Sequence, residues 1–166
     1  MKKLLIPRMH LESVFLINSK ALKENKISGI IIDIDNTLVA WEAKDADNRT
    51  TELIEGLLSE GFRICILSNN TKKRVAEFNK KLKLPAIHKA GKPKKSSYEK
   101  AMKILGTKPA NTAVIGDQIF TDILGGNRLG LFTILVTPIS TKEFIGTRFT
   151  RKLEKLVLKQ FKNNYF

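Results

Sequence analysis

Short apolar runs alternate along this chain with stretches in which apolar residues recur every three or four positions. Ile30, Ile31 and Ile32 lead straight into Asp33-Ile34-Asp35-Asn36-Thr37. A brief Ile-rich run of this kind reads as a strand buried on both faces, here over about 29–35. Residues 62–67, 112–115 and 132–136 read the same way, and 85–88 as a short, weak strand. Helical spacing fills the intervals. Leu53, Ile54, Leu57 and Leu58 mark one helix, with Asn48 as its cap and Gly61 as its stop. Val75, Phe78 and Leu82 mark a basic helix; Tyr98, Ala101, Met102 and Leu105 mark another, closed by Gly106 and Pro109. A short helix is expected over 122–128. Leu11, Val14, Phe15, Leu16 and Leu22 predict an amphipathic helix over about 10–25. Phe149, Leu153, Leu156, Val157 and Phe161 predict a basic one over about 148–163. The latter's apolar stripe permits packing on the domain or contact with a membrane, and packing on the domain is the expected case. The alternation predicts an α/β, Rossmann-like doubly wound parallel sheet of about five strands flanked by helices. No repeat, low-complexity tract or linker interrupts it, so residues 1–166 are expected to form a single domain.

The strongest polar signals follow the strands: Asp33 and Asp35, Ser68 and Asn69, and Asp117 after Gly116. In a doubly wound sheet, ligands bind beyond the carboxyl ends of the strands, so these residues are expected to gather at one edge. Residues i and i+2 of a strand point the same way. Asp33 and Asp35 would then repel each other unless a cation sits with them. A hard divalent ion such as Mg2+ answers that need with oxygen ligation, leaving one carboxylate free for proton transfer.

Charge narrows the class of partner. The 166 residues carry 30 Lys+Arg against 16 Asp+Glu, a net charge of +14. Twelve of the basic residues fall between Lys72 and Lys103, against Glu77 and Glu99 alone. An anionic partner follows: a phosphorylated substrate, an anionic membrane surface or nucleic acid. Aromatic content of 7% leaves no array for stacking bases. The lone Cys65 excludes an intrachain disulfide, which suits a reducing cytoplasm, and its apolar run reads as inert core. Pro7, Arg8, His10 and Glu12 cut the first apolar run short of a signal peptide. No run approaches the ~18 apolar residues of a span, so the chain is expected to be cytoplasmic and at most peripheral at the inner face of the membrane. His10 and His88 read as structural, and Trp41 as a cover for the core.

Taken in order, Asp33-Ile34-Asp35-Asn36-Thr37, the Ser68-Asn69 strand end, Lys92-Pro93 and Gly116-Asp117-Gln118-Ile119-Phe120-Thr121-Asp122 resemble the motif set of the haloacid dehalogenase (HAD) phosphatases. The run from Gly116 to Arg128, with Asp-x-Asp-Asn-Thr-Leu-Val and the following Trp41, is similar to the YqeG family of subclass IIIA. The resemblance covers essentially the whole chain and implies a Mg2+-dependent phosphomonoester hydrolase. It makes Asp33 the nucleophile that becomes an aspartyl-phosphate, and Asp35 the general acid and then base. The metal would sit on the carboxylates of Asp33 and Asp117 and the backbone carbonyl of Asp35. Ser68, Asn69 and Thr37 fall on the substrate side, and Lys92 offsets negative charge. Asp122 would position a metal-bound water or Lys92. The residues alone leave alternatives: Ser68 and Asn69 as helix caps, Thr37 as a turn residue, Asp122 as a cap, and Lys94 or Lys95 in place of Lys92. The intervals from Asp35 to Ser68 and from Ser68 to Lys92 have no room for a cap domain. An open site suits a phosphate borne by something large. Relatives of this subclass include phosphatidylglycerophosphate phosphatases, so that lipid is the expected substrate. A soluble metabolite, a phosphoprotein, or a nucleic-acid-binding role with little turnover are the competing readings.

Overall fold

The carboxyl end of strand β2 (Gly29–Ile32) is the centre of the architecture. The computed structural model describes residues 2–140 and Glu154. Within them, β1 (Met9–Leu11), β2, β3 (Arg63–Leu67), β4 (Ala86–Ile87), β5 (Thr112–Gly116) and β6 (Phe132–Val136) form one sheet. Its order is β1-β6-β5-β2-β3-β4, and every pairing is parallel. The helices are α1 (Ser19–Glu24), α2 (Asn48–Ser59), α3 (Lys72–Phe78), α4 (Lys95–Leu105) and α5 (Leu124–Asn127).

Alternation along each strand splits the core into two layers. Ile30 and Ile32 of β2, Ile64 and Ile66 of β3, and Ile115 of β5 pack with Ile54 and Leu57 of α2 and Val75 and Phe78 of α3. Ile31, Cys65, Leu67 and Val114 face the other way, onto Tyr98, Ala101, Met102 and Leu105 of α4. Each of the Ile, Leu, Val, Met and Phe side chains among them contributes ~1.5–3 kcal/mol on burial, which explains the run of apolar residues through each central strand. Register carries the consequence for function. Ile32 stands opposite both Ile66 and Ile115, so the polar residues that follow β2, β3 and β5 emerge at one level. Chain order reverses across β2, where such sheets open a crevice.

Several expected elements are corrected. Residues 10–25 are not one helix. Met9–Leu11 pairs along β6 as a sixth, edge strand, Val14–Leu16 forms a 3-10 turn, and α1 begins only at Ser19. The side chains of Ser13 and Asn18 each accept a backbone N–H, from Phe15 and Ala21, and so break the segment. The cap of α2 is Asp47, whose Oδ1 accepts Thr50 N–H at 2.7 Å, and not Asn48. Leu82 lies beyond the end of α3. The helix expected over 122–128 starts earlier, as a π-helical turn over Ile119–Ile123. The helix expected over about 148–163 lies outside the described residues apart from Glu154. Between β2 and β3, and between β3 and Lys92, only α2, α3, β4 and their loops intervene, so neither interval holds a cap domain.

Candidate active site

Asp33 prolongs β2, its N–H donating to Ile115 O at 3.0 Å. Its buried carboxylate lies 2.9 Å from Lys92 Nζ. The same ammonium is 2.7 Å from Asp122 Oδ1. Lys92 is therefore the lysine of its loop that turns inward, whereas Lys94 and Lys95 are exposed. Asn69 fixes the Lys92 backbone: its Oδ1 accepts Lys92 N–H at 2.7 Å and its Nδ2 donates to Lys92 O at 3.4 Å. The Lys92–Pro93 peptide is cis.

Asp122 is held from behind. Its Oδ2 accepts Gln118 N–H at 3.2 Å and Thr121 Oγ1–H at 3.3 Å. Gly116 makes room for it, since a Cβ there would collide with the Asp122 carboxylate. Tyr98 OH donates to Thr121 O at 2.8 Å. Buried Glu154 accepts Ile119 N–H at 2.7 Å and Phe120 N–H at 3.4 Å, capping the first amides of the turn. Thr37, fully buried, donates to Asp117 Oδ1 at 3.2 Å.

Asp33, Asp117 and Asp122 each offer an oxygen within 4.8 Å of the others. Burial pushes the Asp33 carboxyl up to about 8; Lys92 pulls it down, while Asp122 and Asp117 push it further up. Burial likewise disfavours the Lys92 ammonium, but Asp122 and Asp33 outweigh it and hold the amine above its usual range. With all three carboxylates ionised, the one ammonium would leave two negative charges without a counter-charge. Oxygen donors with that deficit fit a hard divalent cation.

Asp35 does not share this cluster. Arg74 Nε and Nη2 lie 3.2 and 2.9 Å from its Oδ1, and Asn70 Nδ2 donates to Oδ2 at 3.1 Å. The repulsion expected between Asp33 and Asp35 is relieved by giving each its own cation. Asp33 and Asp35 open together onto a cleft of about 420 Å³, also lined by Ser68, Asn69, Lys92 and Trp41. Ser68 Oγ accepts Asn70 N–H at 3.1 Å. Trp41 is 41% exposed, at the cleft lip, and not a cover for the core. Arg74, Asn70, Tyr98 and Glu154 were not expected as site residues. For Arg74 a signal existed: a basic residue in the first turn of the helix that follows Ser68-Asn69 starts at the same sheet edge.

A six-stranded parallel sheet with an acidic cluster beyond its central strand defines a HAD-type phosphatase framework. Residues 89–144 match the HAD-hydrolase-like family model. The chain is 40% identical to the "Probable phosphatase YqeG" of Bacillus subtilis (strain 168) over 98% of its own length and 94% of that protein's. It belongs to this YqeG family of HAD phosphatases. It is also 26% identical to phosphatidylglycerophosphate phosphatase 1, chloroplastic, of Chlamydomonas reinhardtii, over 93% of this chain but 61% of that protein. Among solved structures, the cobalt-bound deoxy-D-mannose-octulosonate 8-phosphate phosphatase (YrbI) of Haemophilus influenzae shares the fold. Its TM-score is 0.58 at 15% identity, covering 82% of this chain and 90% of that one. Among the described residues no helix is long and apolar enough to cross a membrane.

Proposed function

We propose that this phosphatase is a Mg2+-dependent phosphomonoester hydrolase that works through an aspartyl-phosphate on Asp33, as one domain over residues 1–166. Its substrate is a phosphate presented at the cytoplasmic face of a membrane, with phosphatidylglycerophosphate as the leading candidate. One observation carries the reading: the buried Asp33 carboxylate, paired with Lys92 at 2.9 Å, faces an open cleft beside Asp117 and Asp122.

Asp33 and Asp117, with the Asp35 carbonyl, would hold the ion, and Thr37 would set the Asp117 rotamer. The ion would supply charge neutralisation for the phosphoryl group. In the first step an Asp33 oxygen attacks phosphorus, the bond to the leaving oxygen breaks, and Asp35 gives that oxygen a proton. In the second, water attacks phosphorus, Asp35 takes its proton, and the Asp33–phosphorus bond breaks to release phosphate. Ser68 and Asn69 border the cleft where phosphate oxygens would sit. Lys92, locked by Asp122, offsets charge on both nucleophile and phosphate. The lack of a cap domain among the described residues supports a bulky substrate, and the name of the Chlamydomonas relative supports the lipid.

The test is phosphate release with Mg2+ from phosphatidylglycerophosphate in mixed micelles, beside soluble phosphoesters, with Asp33→Asn as blank. Release from the lipid, lost at least about 10³-fold in the variant, is expected. Equal, slow release from every ester would retain the hydrolase and remove the lipid. Release unaffected by Asp33→Asn would remove the aspartyl-phosphate.

A further inference from the structure

Two of the large apolar residues exposed on this protein, Trp41 at 41% and Ile139 at 44%, are each bonded through the backbone to one residue of the cleft. Trp41 N–H donates to Asn36 Oδ1 at 3.2 Å. Ile139 N–H donates to Asn36 O at 3.0 Å. Asn36 lines the cleft and adopts φ +61°, a left-handed conformation that Asn tolerates. Its own N–H donates to Val39 O at 2.8 Å, and Thr37 and Leu38 N–H both reach Ile34 O. The turn that leads to Trp41 is thus tightly bonded, and the segment after β6 that carries Ile139 is tied to it through Asn36 O.

Exposed lysines adjoin Asn70, a residue that lines the same opening. Lys72 and Lys73 start α3, immediately after Asn70 and Thr71. Lys89 N–H donates to Asn70 O at 2.9 Å. Lys44 O accepts Arg74 Nη1–H at 2.7 Å. Glu42 and Asp45 share the loop of Trp41 and Lys44, so the positive side of the collar is that of α3 and Lys89. An indole, an aliphatic side chain and several lysines around one opening match the interface of an anionic bilayer, where Trp prefers the headgroup level and lysines meet negative lipid.

We propose that the cleft mouth is a membrane-docking surface: Trp41 and Ile139 enter the headgroup region of an anionic bilayer, while Lys72, Lys73 and Lys89 bind its phosphates. The lipid phosphate then reaches Asp33 without leaving the bilayer. This inference rests on the reading of the substrate as membrane-borne, and it locates the contact at the cleft rather than on the basic C-terminal segment.

Trp41 is the single tryptophan of the chain, so intrinsic fluorescence reports this position alone. The experiment titrates wild-type protein with phosphatidylglycerol vesicles, with phosphatidylcholine vesicles and with bulk RNA, following Trp41 emission and co-sedimentation. A blue shift and quenching by brominated lipid with the anionic vesicles alone are expected. Ile139→Asp should raise the lipid concentration for half-binding about tenfold, and Lys72→Glu with Lys73→Glu should do the same at low salt. Co-sedimentation with unchanged Trp41 emission would overturn the proposal, because another surface would then be docking. No vesicle binding, or a Trp41 response to RNA and not to vesicles, would overturn it too. The underlying reading fails differently: an intact Trp41 response with no Asp33-dependent release from phosphatidylglycerophosphate removes the substrate and leaves the surface.

Discussion

Arg74 grips Asp35 by one oxygen, with Nε at 3.2 Å and Nη2 at 2.9 Å from Oδ1, while its third nitrogen donates to Lys44 O. The guanidinium thereby ties α3, the end of β2 and the Trp41 loop to a single carboxylate. If Asp35 transfers the proton, Arg74 sets where it does so. Arg74→Ala is expected to lower kcat by about tenfold or more with a smaller change in KM, and Arg74→Lys to recover part of it, because a point charge replaces a planar fork. Asp35→Asn should cost more, on the order of 10²–10⁴ in kcat. Steady-state kinetics on one soluble ester checks both. Equal kcat in Arg74→Ala and wild type would make the pair merely structural.

The acidic cluster predicts a metal- and pH-linked stability. Asp33 is raised from 3.8 to about 8. Without metal, the folded protein keeps a proton that the unfolded chain gives up within that window, so stability falls as pH rises through it. A divalent ion held by these carboxylates would displace that proton and offset the loss. Calorimetry should show a metal-free Tm that drops between about pH 5 and pH 8. Mg2+ at ~100 times its Kd should return ~2.7 kcal/mol near the upper end and less near the lower end. An equal Mg2+ effect at both ends would contradict the cluster as the binding site.

Gly116 is a steric requirement of the same cluster. Gly116→Ala drives a methyl into the Asp122 carboxylate, so Asp122 must leave Lys92 or the strand must move. Overpacking of this kind costs ~1–3 kcal/mol, and activity should fall further than that stability loss explains. Thermal melts run beside turnover below the melting temperature separate the two effects.

Cys65 is expected to be inert in the native protein. Burial raises its thiol from 9.0 to about 11, so little thiolate exists at neutral pH. As pH climbs from about 9 to about 11 the unfolded chain ionises first, and stability declines over that window. A disulfide reagent at mild pH should label the protein only in denaturant. Rapid labelling of folded protein would contradict the burial.

The polar residues that follow an apolar strand were legible, because β-register brings such ends together whatever lies between. Asp33, Ser68 and Asp117 needed only that rule. Lys92 needed a motif, since three lysines share its loop and only the bonds of its backbone to Asn69 and of its ammonium to Asp33 and Asp122 single it out. β1 was not legible: three residues give no period, and the apolar positions around it also fit a helix until Ser13 and Asn18 cap and divide them. Asp47 and Asn48 are both good caps, and only the 2.7 Å bond to Thr50 N–H separates them. Trp41 misled because its size suggests burial, whereas its amide, not its ring, is what the turn uses.

Glu154 gives this protein a timetable. Its carboxylate caps the amide of Ile119 from 35 residues further along the chain. A ribosome adding about 5–20 residues per second needs roughly 2–7 s to cover that interval. During it the nascent chain already holds Asp33, Lys92, Asp117 and Asp122, yet the turn behind Asp122 has open amides. The turn that holds Asp122 can therefore take its Glu154 cap only after every strand of the sheet has been made.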